Sequence, residues 1–334
     1  MNKHKFKYKW NLADGYPAKE IEKNNLKVFG TFICGGGSSM GYKLAGFNHL
    51  GGVEIDPKLA EVYKENHNPR FFYNMDIRKF NELEDLPNEL YNLDILDGSP
   101  PCSSFSMAGN REKDWGKNKQ FREGQANQVL DDLVFVYCDT IIKLQPKVFI
   151  LENVKGIIQG NAKVYAKNIV KKMTDNGYKV QVFLLNAASM GVPQKRERVF
   201  FIGHKKEFDL PKLKLSFNED AINFSQVTCD GNDEKMSDNE TKNWHIAKPG
   251  QAVGKFQTYK KLEMNKVSNT IVASNPHYHP SEARRLNYAE EKMIGTYPLD
   301  YNFKGAQPRY LIGMSVPPVM VAQIAHEIYL QWLK

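Results

Sequence analysis

The sequence predicts an α/β fold, a doubly wound and mostly parallel sheet with a second, smaller loop-rich domain. Three observations carry this. Short β-rich runs recur at 28–33, 50–55, 70–73, 93–96, 147–151, 179–185 and 198–202; helix-like segments at 39–45, 57–66, 131–144 and 162–174 alternate with them; and the alternation stops near residue 204. Ligands bind such sheets beyond the C-terminal ends of the strands, so the residue after each strand is the first place to look for chemistry.

The first run leads into a turn from Phe32 to Gly41 that holds Cys34, Gly36 and Gly37 and opens a helix. Glycines there let backbone approach a ligand closely. The second run ends in Glu54 and Ile55, where a carboxylate suits paired ribose hydroxyls. The third leads to Asp76 and Ile77, an acid for an exocyclic amine beside an apolar surface for a purine. Together the three turns describe an adenosine site. The absence of a G-x-x-x-x-G-K-[ST] loop counts against ATP.

After the fourth run come Ser99, Pro100, Pro101, Cys102, Ser103 and Ser104. A proline pair stiffens the chain just before the thiol, which favours a reactive cysteine over a packing one such as Cys138 in its apolar run. The run at 147–151 delivers Glu152 and Asn153, an acid placed either to cap the turn or to move a proton. Before the last run, Gln194, Arg196 and Arg198 alternate, so a strand would point them to one face. They read either as a grip on a base or phosphate or as an exposed edge carrying salt bridges.

Residues 205–309 are rich in dispersed prolines and form the expected small domain, 27–204 with 310–334 the catalytic one, and 1–26 a basic extension. The segment 316–333 is expected to be a helix that returns to the first domain. The chain has 334 residues and a net charge of +8, unevenly spread. Lysines alternate with aromatics in the first ten residues, 217–240 holds seven acids against Lys235, and 242–266 holds six lysines against Glu263. Such sign reversal suggests one face turned to a polyanion. The four cysteines lie far apart with no C-x-x-C, arguing against a zinc module and a disulfide scaffold. His277 and His279 lack a third ligand, so no metal is expected. No signal peptide or membrane-length apolar run is read, which predicts a soluble, cytoplasmic protein.

With these residues in place, the sequence resembles the DNA (cytosine-5)-methyltransferases that use S-adenosylmethionine, of prokaryotic or phage type. Six blocks occur in the family's order: the Phe32 to Gly41 turn, Pro100-Pro101-Cys102, Glu152-Asn153-Val154, Gln194 to Arg198, Arg284 through Pro298, and Gly313 to Pro318. The resemblance covers nearly the whole chain outside the first ~25 residues and the variable 205–265 region. Departures are Ser103 where glutamine is usual, Met314 where asparagine is usual, and Cys34 where the first glycine is common.

The resemblance implies a methyltransferase fold of Rossmann-like type and a reaction at carbon 5 of a flipped-out cytosine in duplex DNA. Cys102 would add to carbon 6 while Glu152 engages ring nitrogen 3, with Arg196 and Arg198 assisting. Phe32, Cys34, Gly36, Gly37, Glu54, Ile55, Asp76, Ile77, Ser99, Pro100, Ser315 and Val316 would hold S-adenosylmethionine. Gln194, Ser103, Ser104, Arg111 and Lys113 would meet the DNA, the last two from a closing loop after Cys102. A monomer is expected, with a restriction endonuclease as candidate partner. The nearest alternative is a tRNA cytosine-5 methyltransferase of the same family; a nicotinamide dehydrogenase would have no use for Cys102, Glu152 and the arginines together.

Overall fold

The structure, a computed structural model, describes residues 4–16, 18, 20–101 and 132–334. Cys102, Ser103, Ser104, Arg111 and Lys113 lie outside the described residues. Strand β1 (Lys27–Thr31) leads to helix α1 (Gly37–Leu44), β2 (Asn48–Val53) to α2 (Pro57–His67) and β3 (Phe71–Tyr73) to α3 (Ile77–Glu82). Then come β4 (Ile95–Gly98), α4 (Leu133–Leu144), β5 (Val148–Val154), α5 (Lys163–Asp175), β6 (Tyr178–Asn186), β7 (Gln194–Lys195) and β8 (Glu197–Lys205). The later part holds α6 (Asp238–Ile246), β9 (Ser268–Asn269), α7 (Tyr288–Ile294), α8 (Pro308–Met314) and α9 (Pro318–Ile328).

Two helix starts carry a side-chain cap. Asp56 accepts from the backbone N–H groups of Lys58 and Leu59 ahead of Pro57, and Asp76 accepts from that of Arg78. Such caps satisfy orphan amides and fix where the chain turns after a strand.

The seven-stranded sheet has the order β3-β2-β1-β4-β5-β8-β6. Strands β3 to β5 pair in parallel, while β8 runs antiparallel between β5 and β6. The strand order reverses between β1 and β4, which opens a crevice above their C-terminal ends. One sheet face packs on Phe80, Tyr137, Ile141, Ile169 and Met173, the other on Met40, Val319, Ala322 and Ile328. As its apolar composition predicts, the C-terminal helix returns to this core. Gly41 permits that contact, because a Cβ there would lie 2.5 Å from the Cβ of Val321. Each aliphatic side chain that α9 buries contributes roughly 1.5–3 kcal/mol.

The core does not respect the expected boundaries. Ile294, Tyr297, Tyr301 and Phe303, assigned to the small domain, share one cluster with α1 and α9, whereas Trp244, Ala247, Val253 and Tyr278 form a small cluster of their own. Two of the three N-terminal aromatics are not on the surface either: Phe6 and Trp10 are buried in the main cluster, and Tyr8 packs half-buried against it. Nor is the acidic stretch simply turned to solvent, since Glu234 pairs with Arg285 and Arg309, Glu240 with Arg285, and Glu219 with His4. In the basic stretch Lys261 is buried, donating to the carbonyls of Trp244 and Ala247 at the end of α6. The stretch Pro308–Leu333 is, contrary to expectation, long and apolar enough to cross a membrane, but 78% of its apolar window is buried within the fold.

Candidate active site

A cleft of about 470 Å³ lies at the C-terminal ends of β1, β2, β4 and β5, within the range of small-molecule sites. Its walls hold Phe32, Cys34, Gly37, Glu54, Ile55, Asp76, Ile77, Ser99, Pro100, Glu152, Arg198, Ser315 and Val316.

The loop after β1 is bent by left-handed residues at three alternate positions, Phe32 (φ 54°), Cys34 (φ 47°) and Gly36 (φ 77°). Non-glycine residues in this region are uncommon and cluster at functional sites. The positive φ at Cys34 accounts for glycine being common there. Gly36 stands behind the loop and not on the wall; a Cβ at that position would lie 2.1 Å from His67 Nε2. Burial pushes the Cys34 thiol up to about 12, with the Glu54 charge adding to the shift, so this sulfur packs rather than reacts.

Glu54 is oriented by the chain around it: one carboxylate oxygen accepts from Cys34 N at 2.8 Å and the other from Asp56 N at 2.9 Å. Burial outweighs these bonds and raises its pKa to about 7. Asp76 has one oxygen on the cap of α3, leaving the other towards Arg78 at 3.4 Å. Ser99 adds the test of fit for a ligand. Its hydroxyl is buried in the wall without a hydrogen-bond partner among the described residues, and a bound polar molecule would supply one. An oriented acid, a second acid beside Ile77 and an unpartnered hydroxyl fit the adenosine and amino-acid portions of S-adenosylmethionine.

At the other end of the cleft, Glu152 and Arg198 meet, with Arg198 Nε 2.9 Å from Glu152 Oε1. The Asn153 amide donates to the Pro100 carbonyl at 3.3 Å. This bond ties the turn that precedes Cys102 to the strand end that carries Glu152.

Gln194 and Arg196 do not share the face of Arg198. Arg196 falls between β7 and β8, is 2% exposed, and donates to the carbonyls of Ile271, Gly313 and Ser315. Gln194 donates to the Ile294 carbonyl and accepts from Ile271 N. Both therefore hold the last two sequence blocks in place, and the expected common face fails because the strand breaks at Arg196. Met314, singled out in the sequence as a departure, lies on the wall, while sequence reading missed Met75, Leu133 and Tyr310 there, and Asp97 beneath it. Asp97 accepts from Tyr42 Oη at 3.0 Å, and burial raises its pKa to about 7. Its place directly after the apolar pair Ile95 and Leu96, much as Glu152 follows Val148 to Leu151, was the available signal. His277 and His279 bond to Thr270 O and to Thr228 Oγ1, and no metal-binding group of His, Cys, Asp or Glu occurs among the described residues.

The family model for the C-5 cytosine-specific DNA methylase matches residues 26–248 and 214–330. The chain belongs to that family. The methylase is 27% identical over 337 residues to the Type II methyltransferase M1.HphI of Haemophilus parahaemolyticus, covering 91% of this chain and 87% of that protein. Among solved structures it is similar to one described as a DNA modification methyltransferase encoded within a prophage of E. coli, with a TM-score of 0.71, 19% identity, and coverage of 93% and 100%. The DNMT2 structure of Spodoptera frugiperda gives a TM-score of 0.66 at 16% identity, with coverage of 91% and 100%. These likenesses extend the Rossmann-like fold across nearly the whole methylase.

Proposed function

We propose that this methylase acts on carbon 5 of a flipped-out cytosine in a short sequence of duplex DNA, through a cysteine adduct at carbon 6. The observation that supports the reading best is the Asn153–Pro100 bond: Pro100 stands two residues before Cys102 in sequence, Asn153 directly follows Glu152, and the cleft they line suits an adenosine at its other end. When bound there, S-adenosylmethionine supplies an electrophilic methyl group for carbon 5.

The chain's own residues do the rest. Cys102 thiolate adds to carbon 6, and Glu152 hydrogen-bonds or protonates ring nitrogen 3, which moves electron density to carbon 5. Once carbon 5 is methylated, a base removes its proton; the carbon–sulfur bond then breaks and the ring double bond returns. Arg198 holds the Glu152 carboxylate in place. Glu54, Asp76 and Ser99 hold the donor, and the Phe32 to Gly37 loop with Ser315 and Val316 closes over it. Flipping requires unstacking worth a few kcal/mol, supplied by contacts to phosphates. Arg111, Lys113, Ser103 and Ser104 fall to that role in this reading, as do the exposed Lys242, Lys248 and Lys255. The Type II relative suggests a restriction–modification setting, with a cognate endonuclease as partner of a monomeric, cytoplasmic enzyme.

The test is transfer of label from S-adenosylmethionine to duplex DNA and, in parallel, to tRNA, followed by trapping on DNA containing 5-fluorocytosine. Transfer to DNA with a covalent adduct at Cys102 is expected. Preference for tRNA, or transfer without an adduct, overturns the reading; bisulfite sequencing then gives the flanking bases.

A further inference from the structure

The family match begins at residue 26, so nothing in it accounts for the first part of the chain. Residues 10–13 of that part are bound to one short segment, 296–301. Trp10 Nε1 donates to the Thr296 carbonyl at 2.9 Å, and Leu299 N donates back to the Trp10 carbonyl at 2.9 Å. The amides of Leu12 and Ala13 donate to the two carboxylate oxygens of Asp300 at 2.7 and 2.9 Å. Nearer the N-terminus, Phe6 packs edge-on to His326 of α9, and His4 pairs with Glu219.

The opposite side of the same segment touches both walls of the donor end of the cleft. Tyr297 Oη donates to Ser315 Oγ at 2.8 Å, and Ser315 lines the cleft. Thr296 Oγ1 accepts from Val319 N at 3.1 Å, at the start of α9. Tyr301 Oη donates to the Gly35 carbonyl, inside the glycine-rich loop. Thr296 itself has φ 55°, a conformation that a β-branched residue keeps only when its surroundings enforce it. The bond from Trp10 falls on that residue's own carbonyl.

We propose that residues 4–16 act as a strap that positions the methyl-donor site, with Trp10 a positioning residue working through Thr296, Tyr297 and Ser315. The proposal rests on the reading of the cleft as an S-adenosylmethionine site. Lys7 and Lys9 have no part in the clasp, which consists of indole, backbone amides and Asp300; Lys5 pairs instead with Glu327 of α9 at 3.6 Å.

Two variants of the full chain test this. Trp10→Phe keeps an aromatic ring but removes the N–H donor, and Asp300→Asn keeps the shape but removes the charge that two amides share. Calorimetry with S-adenosylhomocysteine should show each variant binding about three- to tenfold more weakly than wild type, with DNA affinity unchanged. Hydrogen exchange of the unliganded protein should show faster exchange at residues 34–37 and 315–319. A control, Lys7→Ala with Lys9→Ala, should leave both readouts at the wild-type value. Unchanged affinity and exchange in both variants overturns the strap, as does an equal effect in the lysine control. Failure of the wild type to bind S-adenosylhomocysteine overturns the cofactor reading instead, and the exchange measurement still decides whether the strap positions the loop.

Discussion

Arg198 and Glu152 are diagonal neighbours across the antiparallel pair of β5 and β8. Val154 lies opposite Arg198 and Glu152 opposite Phe200, so the two charged side chains share one sheet face and meet at 2.9 Å. Their side chains are only 16% and 11% exposed, which makes each depend on the other for compensation in a partly dry site.

Arg198→Ala should therefore lower kcat/KM for methyl transfer at least ~100-fold, by leaving Glu152 unheld at the substrate end of the cleft. Arg198→Lys should recover little of this, since an ammonium cannot reproduce the Nε contact of a planar guanidinium. Steady-state kinetics on duplex DNA read the effect; near-wild-type turnover in the alanine variant would mean the pair has no part in the reaction.

Arg196 predicts a different phenotype. Arg196→Met leaves the carbonyls of Ile271, Gly313 and Ser315 buried without their donor, which should cost about 3–5 kcal/mol in urea unfolding. Because Ser315 lines the cleft, donor affinity should weaken as well. A loss of DNA affinity alone would instead return Arg196 to the base-contacting role expected of its motif.

Asp97 gives stability a pH dependence of known sign. Burial holds its folded pKa at about 7, above the ordinary value of 3.8, so the folded state keeps a proton that the unfolded chain releases. Stability from this group is present at low pH and is lost as pH rises between about 4 and 7, by up to about 1.4 kcal/mol per pH unit. Glu54 acts in the same direction, while His49 and His67, whose pKa values burial lowers, act in the opposite one below their ordinary pKa. The contribution of Asp97 is thus read as a difference: relative to wild type, Asp97→Asn should gain stability steadily across that window in thermal melts. A difference independent of pH would show that Asp97 ionises freely.

The thiols separate cleanly. Burial pushes Cys34 and Cys138 up to about 12, and raises Cys229 as well. Iodoacetamide at pH 7.5 should leave these three nearly unmodified in the native protein. If Cys102 is the nucleophile proposed above, mass spectrometry should find the alkylated peptide to be the one containing it, and S-adenosylhomocysteine with DNA should slow its modification. Rapid labelling of Cys34 would contradict its burial.

Most of the site was legible because it lies at strand ends. A β-rich run followed by an acid or a glycine turn places Glu54, Asp76, Ser99 and Glu152 around one crevice with no need of long-range information. The start of α2 at Asp56 is equally local, resting on a carboxylate two residues before the amide it caps. Several other elements were not legible. The short helices α3, α6, α7 and α8 lie in stretches whose apolar spacing is weak, and tertiary packing, not periodicity, defines them.

By itself, then, the sequence determined the alternation of strand and helix, the order of its motifs and hence the family, and which acids stand at the cleft. Tertiary structure decided which motif residues face a ligand. Gln194 and Arg196 turn inward because their partners, Ile271, Ile294, Gly313 and Ser315, come from segments 75 to 119 residues away. Phe6 and Trp10 are buried for the same kind of reason, since Thr296 and α9 provide a surface that no local pattern announces. A period of two or 3.6 residues specifies how side chains alternate, but only the assembled core specifies which direction is dry, and a guanidinium or indole goes where unpaired carbonyls await it.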